Sequence, residues 1–456
     1  MALLSNGEKM SLKTLQSLSL DLAAGRTTSR ALVEECLERI MTPEGQGRVT
    51  FTQVDSEAAI LVADAMDKLR AAKAEPSPYA GIPISVKDLF DIRGQVTRAG
   101  SRLLDGAEPA QEDATVVARM RKAGFVIIGR TNMTEFAFSG LGINPHYGTP
   151  LNPWERQNRR IPGGSSSGAA ISVADGMAHG ALGTDTGGSC RIPAAFTGLV
   201  GFKPTAARVP QEGCLPLSTS LDSIGPIARS VACCAVLDSI LSDEACTLSP
   251  KDVRGLRFLV PDTLVFDGID GTVAADFERT IRRLADAGAN IMRAPFPELG
   301  DIATINAKGG FSAAESWAWH KSHIEKSADL YDPRVLSRIR RGEQQTAADL
   351  IELGYARQKL IQGAEARMSA FDAVLMPTVP IVAPRLAELE TDEEYTRINM
   401  LVLRNPSTIN MIDGCAISIP MNEKLAAPTG LMIAGSCGRD RAVLDIAAGI
   451  EALLAS

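Results

Sequence analysis

Histidine is scarce in this chain of 456 residues: only His146, His179, His320 and His323 occur. None lies in a segment resembling the loop of a triad histidine, although sequence position leaves such a base open. The eight cysteines are scattered, with no CxxC pair and no Cys/His cluster at zinc spacing. That excludes the usual thiolate metal centres and disulfide frameworks and fits a reducing compartment. No apolar run approaches the ~20 residues of a membrane helix. The opening MALLSNGEKMSLKTL lacks the basic-then-apolar order of a signal peptide. The expected location is therefore the cytoplasm, with no membrane partner. Net charge is −7 with both signs dispersed, and no Lys/Arg run is long enough to track a phosphate backbone, so no nucleic acid partner is expected. P-loop, HExxH and GxGxxG patterns are absent, and no metal or organic cofactor is expected.

What is present is ordinary soluble composition, 45% hydrophobic and 22% charged, in a chain long enough for one large α/β domain. Leu12, Leu15, Leu18 and Leu22 recur at helical spacing, as do Leu32, Val33, Cys36, Leu37 and Ile40. Ala80–Val86, Phe125–Ile128, Ala178–Gly183 and Leu199–Phe202 read as short strands. Thr115–Ala123 and Ala169–Ala174 read as helices between them. Segments 272–287, 312–325 and 334–370 read as helical. Strands return at Ala373–Met376, Ala416–Ile419 and Gly430–Ala434, and the helix Arg441–Leu454 closes the chain. The alternation predicts an α/β fold: one large domain, 1–456, with a central mixed β-sheet covered by helices on both faces. Its core is expected over about 80–232. A helical, substrate-shaping insertion should span about 250–410, with C-terminal strands and a helix over 411–456.

The chemistry concentrates in Leu182–Pro193, LGTDTGGSCRIP. Two glycines before Ser189 leave its hydroxyl uncrowded and let several backbone N–H groups point at one spot, which suits a nucleophile beside an oxyanion hole. A serine needs a base. With histidine scarce, the alternative is a lysine whose pKa of about 10.4 falls on burial. Lys87 follows the apolar run Ile82, Pro83, Ile84 and Val86. A second cluster, Gly163-Gly164-Ser165-Ser166-Ser167-Gly168, contains a formal GxSxG centred on Ser166. A nucleophile elbow needs a strand immediately before it, and Gln157–Pro162 is polar and proline-terminated. No Ser-x-x-Lys occurs.

The runs GGSSSGAA and GTDTGGSCRIPAAFTGLVGFKPT, with GIPISVKDLFDIRGQVTRAGS, GRTNMTEFAFSGLGINPHYGTPLNP and SLDSIGPIARSV, resemble the amidase signature family over roughly residues 80–232. The resemblance implies amide hydrolysis by a Ser–cis-Ser–Lys triad. Ser189 would be the nucleophile, Ser165 the bridging serine after a cis Gly164–Ser165 peptide, and Lys87 the base. The N–H groups of Thr186, Gly187, Gly188 and Ser189 would form the oxyanion hole. The chain departs from the family at Ser167, where glycine is usual; the added hydroxyl removes no triad member and can cap the following helix.

Blander readings stand beside these. Asp185 either orients the site or stabilises its turn. Arg191 either binds an acidic substrate group or, more in keeping with the family, forms a structural ion pair. Ser166 is expected to hydrogen-bond to the Ser165 turn, and Cys190 to pack. Trp317, Trp319 and His320 either line the pocket or fill the core. The expected function is hydrolysis of a small-molecule carboxamide through a Ser189 acyl-enzyme, by a protein that is often a homodimer in its family. The alternatives are the glutamine-hydrolysing A-type subunit of a tRNA-dependent amidotransferase, a biuret- or allophanate-type hydrolase, and a non-catalytic binding protein on the same scaffold.

Overall fold

Eleven strands, ordered β1-β3-β2-β4-β6-β5-β10-β11-β9-β7-β8, form one sheet in a computed structural model that describes residues 13–245 and 247–455. In chain order they are β1 Phe51–Val54, β2 Pro83–Lys87, β3 Val126–Thr131, β4 Ala181–Asp185, β5 Val200–Lys203 and β6 Ser223–Ala228. β7 Arg257–Pro261, β8 Asn290–Ala294, β9 Ala373–Pro377, β10 Cys415–Pro420 and β11 Gly430–Gly435 complete it. The sheet is mixed. β3-β2-β4 and β9-β7-β8 are parallel, and antiparallel pairs join them through the middle.

Alternation along the strands shows why helices cover both faces, since successive side chains point to opposite sides. Cys415, Ile417 and Ile419 enter one core with Leu375, Phe258, Phe277 and Leu444. Ala416, Val374, Met376 and Met432 enter another with Leu299, Leu353 and Leu360. A strand buried on both faces reads as a continuous apolar run, which is why β9, β10 and β11 are visible in the sequence.

Two expectations are corrected. The region 250–410 is less helical than expected: besides the expected β9 it supplies β7 and β8 to one end of the sheet. β8 escapes sequence reading because its pattern, NIMRA, is largely exposed. The segment 334–370 is two helices, Pro333–Arg340 and Ala347–Met368, separated by the turn Arg341–Gln344. The cap explains the second start, because Thr346 and Asp349 bond reciprocally with each other's backbone N–H. Leu12, Cys246 and the segment before residue 13 lie outside the described residues. No described helix is long and apolar enough to cross a membrane.

Candidate active site

β2 and β4 are parallel neighbours, pairing Ser85 with Ala181 and Val86 with Leu182. Their carboxyl ends therefore emerge together, carrying Lys87 on one and Thr184 and Asp185 on the other, and crevices at strand carboxyl ends are where α/β sheets bind ligands. Lys87 is fully buried, with Nζ 2.8 Å from Ser165 Oγ and 2.7 Å from Thr184 Oγ1. Burial pulls its pKa down to about 8, against an upward push from the carboxylates of Asp222 and Asp185; the neighbouring Cys190 and Cys214 thiols, raised by burial, stay neutral there. A lysine so held is neutral in a substantial fraction of molecules just above neutral pH and can accept a proton.

Ser165 sits in the turn that opens the helix Ser167–Ala174. The Gly164–Ser165 peptide is cis. Close approach demands the glycines: a Cβ on Gly164 would lie 2.5 Å from Gly142 N, and one on Gly163 2.9 Å from Phe196. The Ser165 carbonyl accepts from the N–H groups of Thr134 and Ser167 at 3.1 and 2.9 Å. Ser166 Oγ donates to the Thr184 carbonyl at 3.3 Å, tying this turn to β4. Ser167 does not cap the helix; its hydroxyl points to the Asn132 carbonyl at 3.5 Å.

Ser189, 3% exposed, lies on the tight turn between β4 and the helix Arg191–Thr197. Gly188 has φ +128°, and a Cβ there would strike Ile192 and Pro406 at 2.6 Å. The turn is organised from within by Asp185, whose Oδ1 accepts the Gly188 N–H at 2.8 Å and whose Oδ2 accepts the Cys190 N–H at 3.1 Å. That bond engages the Gly188 N–H expected for the oxyanion hole. The N–H groups of Thr186, Gly187 and Ser189 remain without an acceptor among the described residues.

Asp185 and Arg191 form a wholly buried ion pair, Nη2 to Oδ1 2.8 Å and Nε to Oδ2 3.0 Å. Arg191 also donates to Asn410 Oδ1 at 2.7 Å and meets Met432 Sδ at 3.1 Å. Every nitrogen of its guanidinium thus has a partner within the fold. Burial opposes ionisation of Asp185, but the adjacent Arg191 and the hydrogen bond from Asn410 hold its carboxyl well below the usual range. Cys190 is buried, as expected for packing. Trp317 and Trp319 pack against the main core, and His320 Nδ1 meets the Tyr331 hydroxyl at 2.9 Å.

Three residues escaped sequence reasoning. Thr184 is the second hydroxyl on Lys87, and strand alternation from Leu182 was the signal available for it. Asn410 clasps Asp185 from the helix Asp392–Met411. Asp222 accepts the Thr186 hydroxyl. A separate cavity of about 420 Å³, lined by Gln53, Val62, Arg93, Gln95 and Arg121, contains none of these groups.

The amidase family profile matches residues 31–444. The chain belongs to the amidase family. Among the relatives of this amidase is the 2-amino-5-chloromuconic acid deaminase of Comamonas testosteroni, 38% identical over 433 residues, covering 94% of this chain and 93% of the relative. The A-type subunit of the glutamyl-tRNA(Gln) amidotransferase of Acidothermus cellulolyticus is 32% identical, covering 96% and 94%. A crystal structure of an amidase superposes with TM-score 0.88 at 32% identity, covering 96% of this chain and 99% of that one. The protein is a hydrolase of the amidase-signature type acting on C–N amide bonds.

Proposed function

We propose that this amidase hydrolyses a small-molecule carboxamide through a Ser189 acyl-enzyme, with Ser165 and Lys87 as the proton relay. Neutral Lys87 draws the proton of Ser165 as Ser165 takes that of Ser189, whose Oγ attacks the substrate carbonyl carbon. The N–H groups of Thr186, Gly187 and Ser189 receive the developing oxyanion. Ser165 then passes a proton to the leaving nitrogen, drawing on Lys87, and ammonia or an amine departs. Water attacks the acyl ester by the same relay in reverse and frees the carboxylate and Ser189. The observation that carries this reading is Lys87 Nζ, fully buried, 2.8 Å from Ser165 Oγ.

The enzyme is proposed to act in the cytoplasm, where its free cysteines stay reduced, as a homodimer needing no nucleic acid. The 38% identity to a deaminase supports a second substrate class, 2-amino unsaturated dicarboxylic acids, in which no acyl-enzyme forms: Ser189 would add to C2 of the imine tautomer, ammonia would leave to give an enol ether, and water would release the 2-oxo acid and Ser189. A turnover screen across primary carboxamides, aryl amides, biuret and such amino acids separates the classes. Ser189→Ala should abolish turnover of whichever substrate responds while leaving the protein folded. A fully active variant would refute the serine mechanism. Glutaminase activity that appears only with partner subunits would move the protein to the amidotransferase reading.

A further inference from the structure

Asp222 is nearly fully buried, and the groups that hydrogen-bond to its carboxylate are neutral. Its Oδ2 accepts the N–H groups of Leu217 and Ser218, both at 3.0 Å, and its Oδ1 accepts the Thr186 hydroxyl. Burying a carboxylate on neutral donors is costly, and replacing such a group by an apolar one is often harmless to stability alone. Its position is set by register. β6 pairs Ser223 with Asp185 of β4, so Asp222 falls opposite Thr186, the first residue of the turn that carries Ser189. The same loop reaches outward, where Ser218 and Ser220 donate to Glu315 on the helix Gly310–Ser327.

We propose that Asp222 is a positioning residue for the hydrolysis: it clamps Thr186 at the head of the oxyanion turn and supplies the buried negative charge that steadies the Lys87 ammonium formed during acylation. This rests on the Ser189–Ser165–Lys87 reading. Lys87 Nζ touches the Ser165 and Thr184 hydroxyls, and the titratable groups whose charge reaches it are Asp185 on β4, Cys190 on the turn, and Cys214 and Asp222 on the segment before β6, of which the two thiols are neutral. The Asp185 charge is already committed to Arg191 and Asn410. Asp222 has Thr186, Leu217 and Ser218 as donors, with Lys87 and the Cys214 thiol nearby. Burial lifts its carboxyl to about 6, partly countered by those donors and by Lys87. It is therefore ionised in the alkaline range where Lys87 accepts its proton. Removing that charge withdraws support from the ammonium, so the Lys87 pKa falls further and the alkaline rise in reactivity moves to lower pH.

The test needs no knowledge of the substrate. A fluorophosphonate probe phosphonylates Ser189 through a developing oxyanion, so its labelling rate against pH reads both the turn and the relay. Asp222→Asn keeps the size of the side chain and should slow labelling about tenfold or more, with the midpoint of the rise shifted to lower pH. Thr186→Val should slow labelling with the midpoint unmoved. The double variant should be no slower than the slower single one, because both act on one clamp. A wild-type rate or an unmoved midpoint in Asp222→Asn would overturn the proposal, as would effects that multiply. Should Asp222→Asn not fold, an unchanged rate in Thr186→Val alone overturns the clamp. Failure of the wild-type enzyme to label at Ser189 would instead refute the underlying relay.

Discussion

Two lysines in this molecule are equally hidden and differ in what they touch. Lys87 ends β2 and Lys203 ends β5; both are essentially unexposed, and burial pulls both down to about 8. Lys87 meets two hydroxyls, those of Ser165 and Thr184. Lys203 donates to two carbonyls, those of Pro204 and Gly414, each at 2.7 Å. A carbonyl accepts a hydrogen bond but has no proton to hand on, whereas a hydroxyl accepts and donates at once. A depressed pKa alone therefore does not make a lysine a base for catalysis. The partner decides, and around Lys203 the same physics yields a strut between β5 and the turn before β10.

That contrast can be broken or sharpened in order of expected effect. Ser189→Ala removes the proposed nucleophile and should lower kcat by ~10^5-fold or more, read by turnover of the substrate found in the screen. Lys87→Ala should lower it by roughly 10^3-fold, and Lys203→Met should leave kcat of the folded protein near wild type while lowering Tm. Equal losses from both lysine variants would erase the distinction. Arg191→Met leaves Asp185 charged and buried, so unfolding by urea should show a loss of about 3–5 kcal/mol.

The smallest effect is in pH-dependent stability. Both lysines have folded-state pKa values below their unfolded ones, so folding releases protons between pH 8 and 10.5. In that window the unfolded chain binds more protons, and stability rises with pH. Removing either lysine should flatten the rise in Tm, and a flattening by neither would contradict the depressed values.

The residues of the proposed relay were legible in the sequence because each sits in a motif: Lys87 in PISVKDLF, Ser165 in GGSSSG and Ser189 in GTDTGGS. The strands beneath them were legible as short apolar runs, and β2, β4, β5 and β9 to β11 fall within a few residues of expectation. What stayed hidden was carried by pairing across the chain. Asp222 and Asn410 reach the Ser189 turn from far along the chain. Diversion of the Gly188 N–H to Asp185 is a matter of turn geometry that residue types do not specify. β1 is only four residues long and β8 largely exposed, so neither leaves a strong apolar signature.

The claim that partner and burial together make Lys87 the base is tested most directly by Ser189 labelling with a fluorophosphonate across pH in three proteins. The expected rate rises through about pH 8 in the wild type, keeps that rise in Lys203→Met and loses it in Lys87→Met. A Lys87→Met enzyme that labels at the wild-type rate with the same pH midpoint would contradict the claim.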